Sequence, residues 1–353
     1  MKRYIHFIAT LLYVLQIQSC SMSDQTGLES SCYYARYFDI IRSDDADSSA
    51  AVVVISPYGR TRDTLTVEKA FDNIVCMSSS QVAGLAEIGA GSAISAVSGL
   101  RYITNPELHC RNVPDIGYES SLDYEKILEI KPDVLLTYTV SGAEPPYIAR
   151  LRDLGVRVLV LHDHLENHPL ARAEYIRLYG VLAGRQACAD SIFFDISTRY
   201  ESLASGASGR NPKVKALMNV PYGDAWYIPG EDSYMSRLVS DAGGEVIGSE
   251  PGASASSVIG MEEAYGLSKE ADIWLNPGPC CTIDELISFH HSFRIFGPVE
   301  KGLPIYNNTL RITPEGGNDF WESGSVRPDL ILEDLATIFS GQSTNLKYHF
   351  KVE

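Results

Sequence analysis

The segment His162-Asp163-His164-Leu165-Glu166-Asn167-His168 crowds three imidazoles and two carboxylates into one short stretch. Imidazole and carboxylate are common ligands of transition metals. In an extended segment alternate side chains share a face, which would set His162 beside His164. The same residues follow an apolar run, 156–161, and polar side chains are what a loop after a strand ordinarily carries. Both readings stand, and the second half of the chain offers only His290, His291 and His349 as further imidazoles. A second concentration, Pro221-Tyr222-Gly223-Asp224-Ala225-Trp226-Tyr227, is dense in aromatics and glycine. Aromatic walls suit large planar or amphipathic ligands. The patterns HExxH, GxSxG and GxxxxGK[ST] do not occur, and Gly89-Ala90-Gly91 does not continue to GxGxxG.

The first twenty residues bear on where this chemistry takes place. Lys2 and Arg3 precede an apolar core, residues 7–15, and a small residue stands before Cys20. That is the pattern of a secretory signal, too short to span a bilayer, which takes ~20 residues. Cysteine at the cut position resembles a bacterial lipobox, in which Cys20 would be diacylated and become residue one. A plain signal peptide with an incidental cysteine is the alternative. The expectation is a protein of the cell envelope, lipid-anchored and facing the periplasm, on either the inner or the outer membrane. Polar residues from 21 onward read as a tether, with an N-terminal extension to residue 45.

The net charge of −16 argues against nucleic acid, which needs a basic footprint. Beyond Cys20 the cysteines are Cys32, Cys76, Cys110, Cys188, Cys280 and Cys281, with no CxxC among them. Six in so long a chain is not a disulfide framework. Most read as small buried apolar residues, and no pairing is assigned.

From residue 46 the chain alternates apolar β-branched runs with amphipathic ones. Strands are expected at 51–56 and 64–67, as an opening hairpin, then at 73–77, 93–97, 133–138 and 156–161. Helices are expected at 81–88, 122–129, 144–154 and 169–183. Continuous apolar strands between helices indicate a parallel sheet covered on both faces. A long helix over 185–205 follows, with Ala189, Ile192, Phe193, Ile196, Tyr200 and Leu203 on one stripe. Strands at 214–219, 271–276 and 304–307, with helices at 234–242, 261–267, 283–290 and 328–339, repeat the pattern. The fold class is therefore α/β: one lobe over 46–183, a rigid joining helix over 184–206 and a second lobe over 207–353.

With those elements laid out, the sequence resembles the helical-backbone substrate-binding proteins of ABC importers for iron-siderophores, haem and cobalamin. The likeness rests on Asn73–Ser80 followed by Leu85-Ala86-Glu87-Ile88-Gly89-Ala90-Gly91, on Asp123-Tyr124-Glu125-Lys126-Ile127 running into Lys131-Pro132-Asp133, and on the helix ending Asp241-Ala242-Gly243-Gly244. It is strongest to the lipoprotein branch of Bacteroidetes-type bacteria, through Tyr34-Ala35-Arg36-Tyr37-Phe38, Pro169–Glu174 and Asn318-Asp319-Phe320-Trp321-Glu322. The resemblance implies a monomer that holds a small molecule between two lobes and delivers it to a permease and its ATPase, with no catalysis and no resident cofactor. A secreted α/β hydrolase, or a surface capture protein without a permease, is the alternative.

Ligands of open α/β sheets sit where strand C-termini meet helix N-termini. That rule selects Tyr58, Ser79, Ser80 and Tyr138 from the first lobe. From the second it selects Tyr222, Trp226, Tyr227, Trp274, Asn276 and Trp321. Trp226 and Trp274 have an equal alternative as lobe core, and Ser79 and Ser80 as helix caps. The resemblance further implies that Glu125 and Glu263 dock the permease. A carboxylate in a first helical turn also has a local role toward the helix dipole.

Overall fold

Ala51-Val52-Val53-Val54-Ile55 alternates buried and half-buried side chains, as a strand with one face on a core must. The computed structural model describes residues 32–42, 51–56, 63–139 and 144–353. In it β2 (Ala51–Ile55) pairs antiparallel with β3 (Asp63–Val67), the expected hairpin, and on its other edge with β1 (Phe38–Arg42). Residues 32–42 of the extension are thus docked on the first lobe rather than leading up to it. Glu174, fully buried, accepts the amides of Tyr33, Tyr34 and Ala35, each at 2.8 Å. Glu166 accepts those of Arg36 and Tyr37 at 2.8 and 3.1 Å. Burial pushes the Glu166 carboxyl up to about 7, against the pull of the two amides.

Among the described residues, the first lobe's main sheet has the order β5 (Ile94–Val97), β4 (Ile74–Cys76), β6 (Val134–Tyr138), β7 (Val158–Leu161), all parallel. β4 and β7 are buried at every position, and β6 is buried up to its last residue, Tyr138. That explains their unbroken apolar composition. Ser78 caps the Ser79–Glu87 helix, and Gln81 closes a capping box.

Pro169–Leu182 is a buried helix lying along Gln186–Ala207. The latter, at 22 residues, is about 33 Å long. Its stripe of Ala189, Phe193, Ile196 and Tyr200 is buried. The helix packs on Pro169–Leu182 of the first lobe and on Pro328–Phe339 of the second. Tyr200 donates to Asp241 of the second lobe at 2.7 Å. One contiguous apolar core runs through both lobes by way of these helices, so the joint is stiff.

The second lobe is built on β8 (Val214–Met218), with β9 (Trp226–Ile228), β10 (Gly244–Val246), β11 (Ser257–Ile259), β12 (Ile273–Leu275), β13 (Ile305–Asn307) and β14 (Phe350–Lys351) after it. Its sheet has the order β10-β8-β12-β13-β14, parallel except for β14, while β9 and β11 form a separate antiparallel pair. Both main sheets are therefore parallel at heart and the lobes are joined by one long helix, as the sequence predicts.

The lobes also touch directly. Glu322 of the second lobe accepts the amides of Thr104 and Asn105 of the first at 2.6 and 2.9 Å, and Thr104 donates its hydroxyl to Asp319 at 2.9 Å. Gly317 presses on this contact so closely that a Cβ there would lie 2.0 Å from the Tyr102 carbonyl oxygen. Arg327 adds an ion pair with Glu87 at 3.1 Å.

Candidate functional site

Between the helix joint and the Glu322 contact lies a cavity of about 450 Å³ walled by both lobes, a size that suits a small-molecule ligand. The first lobe presents His164 and Arg172. The second presents Asn219, Tyr234, Asn276 and Trp321. Asn219 and Asn276 each follow a parallel strand, β8 and β12, in left-handed conformation (φ 67° and 57°), a backbone that asparagine tolerates better than most residues. A second hollow of about 300 Å³, lined by Met77, Ser98 and Tyr138, opens at the C-terminal ends of β4, β5 and β6. The Tyr138 ring meets His164 edge-on at 6.2 Å and links the two spaces.

The cavity is electrostatically unusual for this chain. Arg172 donates from Nε to the Glu166 carbonyl at 3.0 Å and from Nη2 to the His164 carbonyl at 2.9 Å, and its guanidinium lies 3.9 Å over the Tyr234 ring. Burial pushes the Tyr234 hydroxyl up to about 12, partly offset by that guanidinium. Burial holds the His164 imidazole below its ordinary range, and burial with His164 alongside takes His162 down to about 4. Both rings are therefore neutral at pH 7. The Tyr234 hydroxyl and the Asn276 Oδ1 are buried without a hydrogen-bond partner. Unpartnered buried polar atoms are rare in native proteins, and these border the cavity.

Several expected site residues sit elsewhere. Trp226 and Trp274, expected at the cleft, are fully buried in the second lobe, stacked on each other and on Phe296 at 5.6–5.9 Å. Their indole N–H groups are held by the carbonyls of Met218 and Asn219, so the core reading is the correct one. Tyr222 and Tyr227 are exposed on the second lobe and do not line the cavity. Ser80 donates to Asp163 at 2.8 Å, and the capping role expected of Ser79 and Ser80 belongs to Ser78. Tyr58 and Cys20 lie outside the described residues. Glu125 and Glu263 are exposed in first helical turns, on different lobes.

The histidine segment does not assemble into a metal cage: among the described residues no three metal-ligating side chains converge. Asp163–Leu165 is a short 3₁₀ turn rather than extended. His168 caps the next helix by accepting the Leu170 amide, and Glu166 is spent on the N-terminal strap.

A family model described as periplasmic binding protein matches residues 74–279, more than half the chain. The chain belongs to the periplasmic binding protein family. An uncharacterized lipoprotein of Methanocaldococcus jannaschii is 24% identical over 298 residues, 79% of this chain and 69% of that one. A periplasmic heme-binding protein from Pseudomonas aeruginosa has a TM-score of 0.60 at 17% identity, covering 80% of this chain and 98% of its own. An ABC-type Fe3+-hydroxamate transport system protein from Saccharomonospora viridis has a TM-score of 0.57 at 17% identity, covering 82% and 98%. Members of this family are solute-binding proteins. Among the described residues, no helix is long and apolar enough to cross a membrane.

Trp321, nearly half exposed, is the indole at the cavity, while the chain's other two are in the core. With an iron-free, non-absorbing ligand, most of any ligand-dependent change in tryptophan fluorescence is therefore expected to be lost in Trp321→Phe while ligand affinity changes by less than about tenfold. A signal of unchanged size in this variant would place the ligand away from Trp321.

Proposed function

We propose that this chain is the lipid-anchored substrate-binding component of an ABC importer, carrying a metal chelate or corrinoid of the iron-siderophore, haem or cobalamin class. The observation that carries the reading is the cavity between the lobes, bordered by buried polar atoms with no partner inside the protein. A bound solute gives such atoms their hydrogen bonds. The lipobox-like Cys20 and the likeness to a lipoprotein support attachment to the cell envelope, and the fold's membership supports delivery to a permease. The stiff joint favours a small closure over a wide hinge.

Ferric citrate, haem and cyanocobalamin, titrated calorimetrically into the soluble part, test the reading. One-to-one binding of at least one of them is expected, with thermal stabilisation near 2.7 kcal/mol at 100 times the dissociation constant. Failure of all three removes the ligand class. Hydrolysis of ester or peptide substrates would favour an enzyme instead.

Glu125 and Glu263 stand on separate lobes at exposed helix starts, as docking to a two-subunit permease requires. Replacing both with alanine is expected to cut uptake in cells by about tenfold or more while ligand affinity stays within about twofold. Reduced affinity in the purified variant would refute a docking role.

A further inference from the structure

We propose that the interlobe cavity selects compact, oxyanion-bearing ligands, chelates held through carboxylate groups, and that Arg172 is the residue that sets this preference. The proposal rests on the import reading above and narrows its ligand. Acidic residues outnumber basic ones 45 to 29 in the chain, yet none of the residues lining the cavity is acidic. Arg172 is the cation among them. Its partners are two backbone carbonyls and the Tyr234 ring, all uncharged. Among the described residues no carboxylate lies within ion-pair distance of it, whereas Arg177, Arg237, Arg311 and Arg327 each have one. A half-buried guanidinium held in place by neutral acceptors keeps its charge available, and its planar fork matches a carboxylate.

The surrounding groups fit the same ligand. The Tyr234 hydroxyl, on the ring that the guanidinium covers, is an unpartnered donor. A planar macrocycle asks for two facing apolar walls. Here the two indoles that would build such a wall are in the lobe core, and Trp321 alone stands at the cavity.

The test is calorimetry on the mature protein with ferric citrate, iron-free citrate, inorganic phosphate, haem and cyanocobalamin. Ferric citrate is expected to bind most tightly, with affinity falling as NaCl rises from 20 to 500 mM, because the attraction is between charges. Arg172→Gln is expected to weaken binding on the order of 10- to 100-fold, and Arg172→Lys to restore part of it. The salt series on the unaltered protein keeps the test decisive if Arg172→Gln folds poorly. Haem or cyanocobalamin binding in place of ferric citrate overturns this proposal and leaves the import reading intact. Ferric citrate binding that ignores both salt and Arg172→Gln also overturns it. Citrate or phosphate binding as tightly as ferric citrate upholds anion selection and removes the metal from the import reading. Failure of every probe overturns both.

Discussion

Replacing Trp274 with alanine is expected to cost the second lobe about 3–5 kcal/mol, the usual range for truncating a buried tryptophan. The indole is fully buried, packs on Trp226, Phe293 and Phe296, and donates to the Asn219 carbonyl at 2.8 Å. Its loss opens a void that the three remaining interlocked rings cannot collapse into, and leaves that carbonyl short of a donor. Urea denaturation followed by circular dichroism should show the midpoint dropping by about 1 M or more, given slopes of ~1–3 kcal/mol per molar. A variant of unchanged stability whose ligand binding alone is lost would mean that Trp274 faces the cleft after all. Asn219 borders the cavity, so the aromatic core also sets the position of one cleft residue. A milder change, Trp274→Phe, should retain most of the stability and lose affinity modestly.

Replacing Glu322 with alanine is expected to cost about 2–4 kcal/mol, because it strands the amides of Thr104 and Asn105 at the direct contact between lobes. The side chain is 2% exposed. Burial pushes its carboxyl up to about 7, from an ordinary value of 4.5, against the hydrogen bonds from Thr104. The folded protein therefore binds this proton more tightly than the unfolded chain does. Stability from this source is full below pH 4.5 and is lost as the pH climbs through about 7. The shift sets an upper bound of about 3 kcal/mol on that loss. Melting temperatures should thus fall between pH 5 and 8, and Glu322→Gln should flatten part of the fall. Glu166 titrates in the same direction and range, so the remainder should disappear with Glu166→Gln. A double variant with the pH slope of the unaltered protein would contradict both assignments.

Much of the architecture was legible because both main sheets are parallel and buried. Ile74–Cys76, Val134–Tyr138 and Val158–Leu161 read as unbroken apolar runs. The helix Pro328–Phe339 agrees with its expected bounds, since Pro and an apolar stripe mark it. The strands that were missed, Phe38–Arg42, Trp226–Ile228, Gly244–Val246, Ser257–Ile259 and Phe350–Lys351, are short or lie at edges. There partner contacts, not periodicity, decide the conformation. The branch motifs gained a physical meaning only in three dimensions. Tyr34-Ala35 and Pro169–Glu174 are the two sides of one set of hydrogen bonds, amide to buried carboxylate. Asp319 and Glu322 are the lobe contact.

The cleft was less legible. Tyr138, Asn276 and Trp321 were reachable from the rule that ligands gather at strand ends, and the structure sets Asn276 and Trp321 at the interlobe cavity and Tyr138 at the neighbouring first-lobe hollow. Trp226 and Trp274 share that placement along the chain, but their side chains point inward, a direction that spacing in a three-residue strand does not reveal. Arg172 was missed, because Arg177 in the same helix shows the same pattern of a cation among apolar residues and is instead paired with Glu174.

The account stands on a solute gripped by both lobes at once. Hydrogen exchange of the protein, with and without whichever of ferric citrate, haem and cyanocobalamin binds, tests this most directly. Slowed exchange is predicted in residues 162–172 of the first lobe together with residues 219–235 and 276–278 of the second. Protection confined to one lobe, or none at saturating ligand, would contradict it.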